Sequence, residues 1–573
     1  MGIPSYFSFI IKNHQKIITT LQNIRNQPLS QTFHHLFFDA NSIIYDAFHK
    51  LAKEYSETHN PDLLEQSIFF QLLSENVIQI LEQHIQFIQP EQTLFIAFDG
   101  IPPPAKIVQQ RSRRFKTKHL EKLTAEFLSQ ITSNPVSNQS SNPQQPQQPQ
   151  QPQQPQQPQQ QPPTFHWQTN MITPGTPFMI FLSNQLENYF QTHLKNNKAK
   201  TNTKIQILST SEHPGEGEHK IFLYLRENPP KPNENIAIYG LDSDLIMLSL
   251  LSFPNIYIFR EAPVFLSNKI DHILIKNQHQ NHNTQNQQNQ QNQPQTHSAS
   301  NQESYFLDIN QFKTAIQETT HKVYDYVFMC FLLGNDFLPH IACLNLRNQG
   351  LHTLLKYYSQ TNPTLVDPKT LEIQWSQLHK LLKPIAKQER ELLIQENAAF
   401  SKMPYPVYGK NKTPENKNTE TETKTKTETK NPISKSEIQE YIQNAPYFFS
   451  KPIRQYIQPE CKNDTWKQRY HEIYNNACPK RYLKQMHDTW HYYLGNITQL
   501  AHTTMHPPLL SDMVEILNSQ THNNPQQAFE NIPPLTEFHF QTNQEYLAYV
   551  LSDEPMHYHF GFEKFLWEVS VYS

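Results

Sequence analysis

The sequence predicts an α/β protein: a mostly parallel β-sheet flanked by helices, together with a mainly helical second domain. The sheet is predicted by short, uninterrupted apolar runs such as residues 36–38 and 94–98, because strands buried on both faces lack the alternation of half-exposed ones. The helices are predicted by apolar residues at i, i+3, i+4 spacing between these runs, as in residues 63–88. Strands that alternate with helices are typical of an α/β domain.

The order of these patterns along the chain predicts where each domain lies. Strands are predicted at residues 36–39, 94–99, 205–208, 236–239 and 256–259, and helices at 63–88, 178–190 and 323–333. Gly334 follows the last of these helices, where a residue without a Cβ can end it in a left-handed conformation. We therefore expect an α/β domain over residues 1–355. Residues 356–573 show no convincing strand pattern before the extreme C-terminus and are predicted to be mainly helical.

Length and composition limit the class of protein. A chain of 573 residues is too long for one hydrophobic core, so two or more domains are expected. The four cysteines form no CxxC motif, which argues against a zinc site or a disulfide framework. No apolar run approaches the ~20 residues of a membrane span, and Tyr6 stands where a myristoylation signal needs Ser or Thr. We expect an intracellular protein, cytoplasmic rather than nuclear.

Three polar segments are predicted to be disordered inserts without chemistry. Residues 137–163 are mostly Gln-Gln-Pro repeats, residues 277–302 are rich in Gln, Asn and His, and residues 410–431 alternate Thr with Lys and Glu. Such compositions bury too little apolar surface to form a core. The net charge of −3 over the whole chain can still hide a basic patch.

Acidic residues that follow the predicted strands are the most informative pattern. Acids at the carboxyl ends of parallel strands converge on one crevice, where like charges raise each other's pKa unless cations neutralise them. Hard divalent ions suit such oxygen ligands, and two ions ~4 Å apart are a common means of cutting phosphodiesters. A single Asp after a strand is more often a turn residue, but seven acids together predict a metal-dependent nuclease. They are Asp39, Asp99, Glu216, Glu218, Asp242, Asp244 and Asp336.

A basic segment begins seven residues after Asp99. On a helix, Lys106, Gln110, Arg113 and Arg114 would share one broad face. Arg binds phosphate through two parallel hydrogen bonds and Lys through a point charge, so this face could hold a terminal phosphate. The alternative is a solvated basic helix face or general binding of a nucleic-acid backbone.

Five separate motifs together closely resemble the Xrn family of 5′→3′ exoribonucleases, in the order in which that family carries them. They are residues 1–4, 109–115, 172–179, 214–220 and 334–339. Weaker similarity extends through residues 465–470, 490–495, 546–551 and 564–568. The resemblance therefore spans nearly the whole chain outside the three polar inserts.

The resemblance implies a fold, an activity and a set of site residues. It implies a nuclease domain of the PIN and flap-endonuclease type beside a helical second conserved region. It also implies a monomer that degrades single-stranded RNA from a 5′ monophosphate to nucleoside monophosphates. The seven acids match the family's Mg²⁺ or Mn²⁺ ligands, and Asn41 matches a residue beside the first of them. The residues that match its 5′-phosphate pocket are Lys106, Gln110, Arg113 and Arg114.

Two departures from the family pattern concern base stacking. The family usually has a His where this chain has Tyr45, whose ring offers a similar face to a 5′ base. The aromatic stretch that supplies the opposite wall is missing at residues 496–502. Stacking is worth ~1–3 kcal/mol per base, so we expect a weaker grip on RNA without a loss of chemistry.

Two other functions remain open from the sequence. A structure-specific 5′ flap endonuclease acting on DNA would share the superfold, but residues 337–350 lack the Gly-Ile-Gly helix-hairpin element of those enzymes. A non-catalytic scaffold that binds RNA ends would fit the missing aromatic wall, but not the complete set of acids.

Overall fold

The computed structural model of the chain divides into two compact units. The first unit comprises residues 1–111, 165–393 and 474–552, and the second comprises residues 112–164, 394–473 and 553–573. The predicted domain limits of 1–355 and 356–573 stay a prediction. The structure describes residues 2–3, 5–26, 32–58, 65–107, 109–111, 114, 169–194, 203–240, 242–261, 267–282, 304–320, 322–401, 459, 465–474, 477–496, 500, 506–520 and 543–551.

The first unit is built on a mixed sheet of seven described strands. Their spatial order is β1-β7-β6-β5-β2-β3-β4, with parallel pairing from β6 through β4 and antiparallel pairing of β7 with β1 and β6. The five predicted strands and the mostly parallel sheet are thus confirmed. The strands are β1 (Ile18–Thr19), β2 (His35–Asp39), β3 (Thr93–Ala97), β4 (Ile205–Ser209), β5 (Ile236–Tyr239), β6 (Ile256–Glu261) and β7 (Ser304–Asp308).

Helices form most of the remaining described chain, and those of the first unit flank its sheet. Those before β7 are α1 (Tyr6–Asn13), α2 (Leu21–Arg25), α3 (Asn41–Thr58), α4 (Gln66–Ile88), α5 (Pro177–Tyr189), α6 (Gly217–Glu227), α7 (Ser243–Leu250) and α8 (Ser267–His282). Those after β7 are α9 (Ile309–Thr320), α10 (Val323–Cys330), α11 (Gly350–Thr361), α12 (Trp375–Ala386), α13 (Glu389–Ser401), α14 (Trp466–Ile473), α15 (Pro479–Tyr493), α16 (Leu510–Gln520) and α17 (Asn543–Val550).

The central strands are covered on both sides, as their uninterrupted apolar runs predicted. Leu36, Phe37 and Phe38 of β2 are all fully buried, although neighbouring side chains in a strand point to opposite faces. Two of them, Leu36 and Phe38, pack in a core cluster with α3, α4 and α5. Because these strands run parallel to one another, their carboxyl ends lie at one edge of the sheet.

The predicted helices are present with small changes at their ends. The pattern at residues 63–88 forms α4, and the one at 178–190 forms α5, where the hydroxyl of Thr176 accepts a hydrogen bond from the amide of Met179 at 3.4 Å. The pattern at 323–333 forms α10 followed by a 3₁₀ turn, Phe331–Leu333. Gly334 follows with φ +86°, the left-handed region that favours glycine.

The first residues of one predicted insert are helical in the structure. Residues 277–282 belong to the last turns of α8, although the prediction placed them in a disordered segment. The side chain of Asn277 donates to the carbonyls of Gln15 at 2.9 Å and Ile18 at 3.0 Å, which anchors this polar stretch to the edge of the sheet. The predicted inserts at 137–163 and 410–431 lie outside the described residues.

The second unit is described over few residues. Within α14, Trp466 and Tyr470 are four residues apart on one helix face, and both are buried. No helix among the described residues of either unit is long and apolar enough to cross a membrane.

Candidate active site

Acidic side chains gather at the carboxyl edge of the parallel strands. Asp39 is the last residue of β2, and Asp99 follows β3, which pairs with β2 in parallel register. Glu218 lies in the first turn of α6. One carboxylate oxygen from each of these three residues lies within 4.8 Å of the other two. The predicted convergence is therefore present in the fold for this group.

Two helix N-termini bring the paired acids to the same edge. Glu216 is the N-cap of α6, and Asp242 is the N-cap of α7, with Glu218 and Asp244 two residues further along. Acids are favoured at these positions because the helix dipole is positive there. A Cβ added to Gly217 would lie 2.6 Å from Oδ1 of Asp39, so only glycine lets α6 approach β2 this closely.

Asn41 is the principal support of Asp99. Its amide nitrogen donates to Oδ2 of Asp99 at 2.7 Å, and its amide oxygen accepts from the backbone N–H of Asp99 at 3.0 Å. The backbone N–H of Gly217 donates to Oδ1 at 2.7 Å. Burial raises the pKa of Asp99, although this amide and the Lys106 ammonium oppose the rise. Asn41 was predicted to lie beside the first acid, and the structure shows that it holds the second.

Burial and repulsion between neighbouring carboxylates raise the pKa of three acids in the cluster. Burial, followed by repulsion from Asp99, raises the pKa of Asp39 well above its usual value. Burial and repulsion from Glu216 do the same for Glu218. Burial also raises the pKa of Asp244, to about 7, with Asp336 as the leading charged contributor. A set of crowded carboxylate oxygens of this kind fits a hard divalent cation.

Lys106 lies inside the acidic cluster. Its ammonium contacts Oε1 of Glu216 at 2.7 Å and also contacts the Asp336 carboxylate. Asp336 further accepts hydrogen bonds from the backbone N–H of Gly2 at 2.9 Å and the Gln109 amide at 3.0 Å. Burial alone would raise the pKa of Asp336, but its neighbouring positive charges and hydrogen-bond donors, Lys106 first among them, together lower that pKa. Lys106 thus neutralises acids as well as standing at the start of the basic segment.

The structure describes only some of the other predicted phosphate-binding residues. The described residues among 104–111 are helical, as predicted, and the hydroxyl of Tyr546 donates to Oε1 of Gln110 at 2.8 Å. Arg113 lies outside the described residues, and Arg114 belongs to the second compact unit. The structure therefore leaves the four-residue pocket a prediction.

The structure also describes residues at both places where the chain departs from the family's base-stacking pattern. Tyr45 lies on α3, four residues beyond Asn41, with 39 % of its surface exposed. In the segment 496–502, Leu500 is buried and its carbonyl accepts a hydrogen bond from the amide of Ala105 at 2.9 Å. Most of the other residues of that segment lie outside the described chain.

Two tyrosines that the sequence did not single out contact the acids. The hydroxyl of Tyr492 donates to Oε2 of Glu216 at 3.2 Å, and that of Tyr493 donates to Oδ1 of Asp244 at 2.8 Å. Burial raises the pKa of both phenols well above the usual value, so both stay protonated donors. The only signal that could have found them was the weak motif similarity at residues 490–495.

Two protein-family profiles match this chain. The family profile described as "XRN 5'-3' exonuclease N-terminus" matches residues 1–262, and the profile described as "Xrn1 helical domain" matches residues 317–489. The chain belongs to the Xrn family. The resemblance and fold class predicted from the motifs are thereby confirmed, and the Xrn nuclease region contains six of the seven acids described above.

Curated Xrn relatives show the extent of the match. A protein named 5'-3' exoribonuclease 2 from Candida albicans is 28 % identical over 422 residues, covering 70 % of this chain and 40 % of its own length. Proteins of the same name from Emericella nidulans and Neurospora crassa are 27 % identical over 440 residues and 28 % identical over 406 residues. They are covered over 40 % and 35 % of their length, so this chain spans well under half of these relatives.

Proposed function

We propose that this chain is a metal-dependent 5′→3′ exoribonuclease that degrades 5′-monophosphorylated RNA to nucleoside monophosphates. The observation that carries the proposal is the carboxylate cluster of Asp39, Asp99 and Glu218 at the carboxyl edge of the sheet. Support also comes from the relatives of the same family that carry the name 5'-3' exoribonuclease 2.

The metal centre is proposed to take Mg²⁺ or Mn²⁺ at two positions. Asp39, Asp99 and Glu218 would hold one ion, and the remaining acids of the seven would complete the centre. Bound divalent ions supply activation of water and stabilisation of the leaving 3′ oxygen. The chain itself contributes crowded carboxylates whose positions are set by the ends of β2 and β3 and by the N-termini of α6 and α7.

Selection of the RNA end is proposed to depend on the basic segment. Lys106, Gln110, Arg113 and Arg114 would bind the 5′ phosphate, and the next phosphodiester would then reach the carboxylates. The position of Lys106 supports this arrangement, because its ammonium already lies beside Glu216 and Asp336. A cap or a triphosphate would be too bulky for such a pocket, which leaves decapped or cleaved RNA as substrate.

A decay assay on RNAs that differ only at the 5′ end tests both parts of the proposal. We expect monophosphorylated RNA to be degraded with Mg²⁺ or Mn²⁺, and RNA with a 5′ hydroxyl or triphosphate to persist. Equal rates on all three ends would contradict end selection. Cleavage of a DNA flap with little RNA decay would favour a flap endonuclease instead.

A double variant separates catalysis from binding. Asp242→Ala with Asp244→Ala is expected to abolish decay while RNA binding stays measurable by fluorescence anisotropy. Asp271→Ala removes an exposed acid on α8 that is not one of the seven, and serves as a control that should decay RNA at the wild-type rate. If the wild-type protein binds RNA ends without decaying them, a non-catalytic scaffold becomes the better account.

A further inference from the structure

Helix α15 is fixed to the loop that carries Asp336. The hydroxyl of Tyr482 donates to the carbonyl of Pro339 at 3.0 Å, and the amide of Gln485 donates to the carbonyl of Phe337. At its other end, the indole N–H of Trp490 donates to the carbonyl of Leu371 at 2.8 Å. All three side chains are buried, so the C-terminal end of α15 is held in one position.

That end of α15 presents two successive phenols to carboxylates on two different helices. Tyr492 reaches Glu216 of the α6 N-terminus, and Tyr493 reaches Asp244 of α7. Neighbouring residues on a helix point about 100° apart, so one rigid helix can contact both acids at once.

Packing fixes the orientation of both rings. The Tyr492 ring lies with its centroid 3.8 Å from that of His219 and 5.4 Å from that of Phe337, edge-on to the latter. The Tyr493 ring packs edge-on against Phe331 at 5.1 Å. Rings held in this way cannot turn their hydroxyls elsewhere without repacking the core.

We propose that Tyr492 and Tyr493 are positioning residues of the metal centre, each holding one carboxylate in its metal-binding orientation. Donation to one oxygen of Asp244 leaves the second oxygen available to a cation. Glu216 shares its oxygens between the Tyr492 hydroxyl and Lys106. A phenol is a neutral donor, so it orients a carboxylate without competing as a cation. The inference rests on the metal centre of the proposed function.

The test uses Tyr492→Phe and Tyr493→Phe, which remove only the hydroxyls. Binding of Mn²⁺ measured by isothermal titration calorimetry is expected to weaken by about 10- to 100-fold, as when hydrogen-bond partners of metal ligands are removed. RNA decay is expected to need a correspondingly higher Mn²⁺ concentration and to recover when that concentration is supplied. A loss of fold alone would not produce this recovery.

Tyr358→Phe is the matched control. The hydroxyl of Tyr358 also donates to a buried carboxylate, Oδ2 of Asp325, at 2.7 Å, but at a position the metal centre does not include. This variant is expected to lose stability and to keep wild-type Mn²⁺ affinity, with melting temperatures measured for all three variants.

Four results would be decisive. Mn²⁺ affinity within twofold of wild type in folded Tyr492→Phe and Tyr493→Phe would overturn the inference, and so would an equal loss in Tyr358→Phe. A wild-type protein that binds no Mn²⁺ would overturn the metal centre and the inference together. A wild-type protein that binds Mn²⁺ tightly but decays no RNA would remove the proposed function, while the expected loss in the two variants would still support the inference.

Discussion

Two sets of acids in this molecule have opposite kinds of neighbours. Asp325 on α10 is fully buried, and its carboxylate accepts hydrogen bonds from the Tyr358 hydroxyl at 2.7 Å and from the amides of Leu365 at 3.0 Å and Val366 at 2.9 Å. Asp39 and Glu218 lie instead among other carboxylates, and burial together with repulsion from these neighbours raises the pKa of both. Neutral donors satisfy the carboxylate of Asp325, whereas Asp39 and Glu218 lie among groups of like charge.

The difference separates a structural acid from a functional one. A buried carboxylate with a complete set of donors stabilises the fold, because each donor would otherwise lose its partner. A cluster of carboxylates in contact destabilises the fold and persists where a cation is to be bound. Burial alone does not distinguish the two groups, but the identity of the neighbouring groups does.

The largest expected effect is at Asp39. We expect Asp39→Asn to reduce Mn²⁺ binding and RNA decay by more than ~100-fold, since it removes one of three converging ligands. The same change removes like-charge repulsion, so the melting temperature in EDTA should rise or stay unchanged. Calorimetric metal titration and thermal unfolding of the same sample measure both. A variant that is destabilised in EDTA would show that Asp39 is a structural acid.

The opposite outcome is expected at Asp325. Asp325→Ala leaves one hydroxyl and two backbone amides without their acceptor, so the free energy of unfolding should fall by about 3 kcal/mol or more. Urea denaturation measures this loss. Mn²⁺ affinity of the folded fraction should stay at the wild-type value, and a weakened affinity would mean that the two groups of acids are not independent.

Another buried acid, Glu234, extends the comparison to the pH dependence of stability. Burial alone would raise its pKa, but the Lys231 amide at 2.8 Å, the Gln92 amide at 2.7 Å and His35 at 3.1 Å outweigh it and lower the pKa to about 2. Its pKa is thus lower in the folded than in the unfolded state. The stabilisation is therefore present above the unfolded value of ~4.3 and is lost as the pH falls towards about 2.

The variant Glu234→Gln tests whether this stabilisation is lost, rather than gained, as the pH falls. The free energy of unfolding should be lower than wild type at pH 7, and the gap between the two proteins should narrow at pH 3. Urea denaturation at the two pH values measures the gap. A gap that widens on acidification would mean that Glu234 is stabilised as a neutral acid.

The same comparison explains which features could be predicted from sequence. Strands β2, β3 and β5 carry continuous apolar runs, and the acids that follow them are local neighbours in sequence, so both could be predicted. The strand β1 has only two residues, and β7 has an apolar run of three residues directly after a polar segment, so neither gives a clear pattern.

Contacts between distant positions account for most of what was missed. Tyr492 and Glu216 are 276 positions apart, and Tyr493 and Asp244 are 249 apart, so no local spacing links them. The helical spacing of Lys106 and Gln110 predicted a common face. It could not show that the acids of two other elements would draw the Lys106 ammonium into their own cluster.

The smallest expected effect is at Tyr45, which lies outside both groups of buried acids. Tyr45→Ala should weaken binding of monophosphorylated RNA by about 1–3 kcal/mol, the usual contribution of one stacked base, while Tyr45→His should retain most of the affinity. Because 39 % of the side chain is exposed, the melting temperature should change little. Fluorescence anisotropy in EDTA, where decay cannot occur, measures the binding. If Tyr45→Ala binds RNA like wild type, the ring does not stack on the 5′ base, and retention of RNA must depend on charge alone.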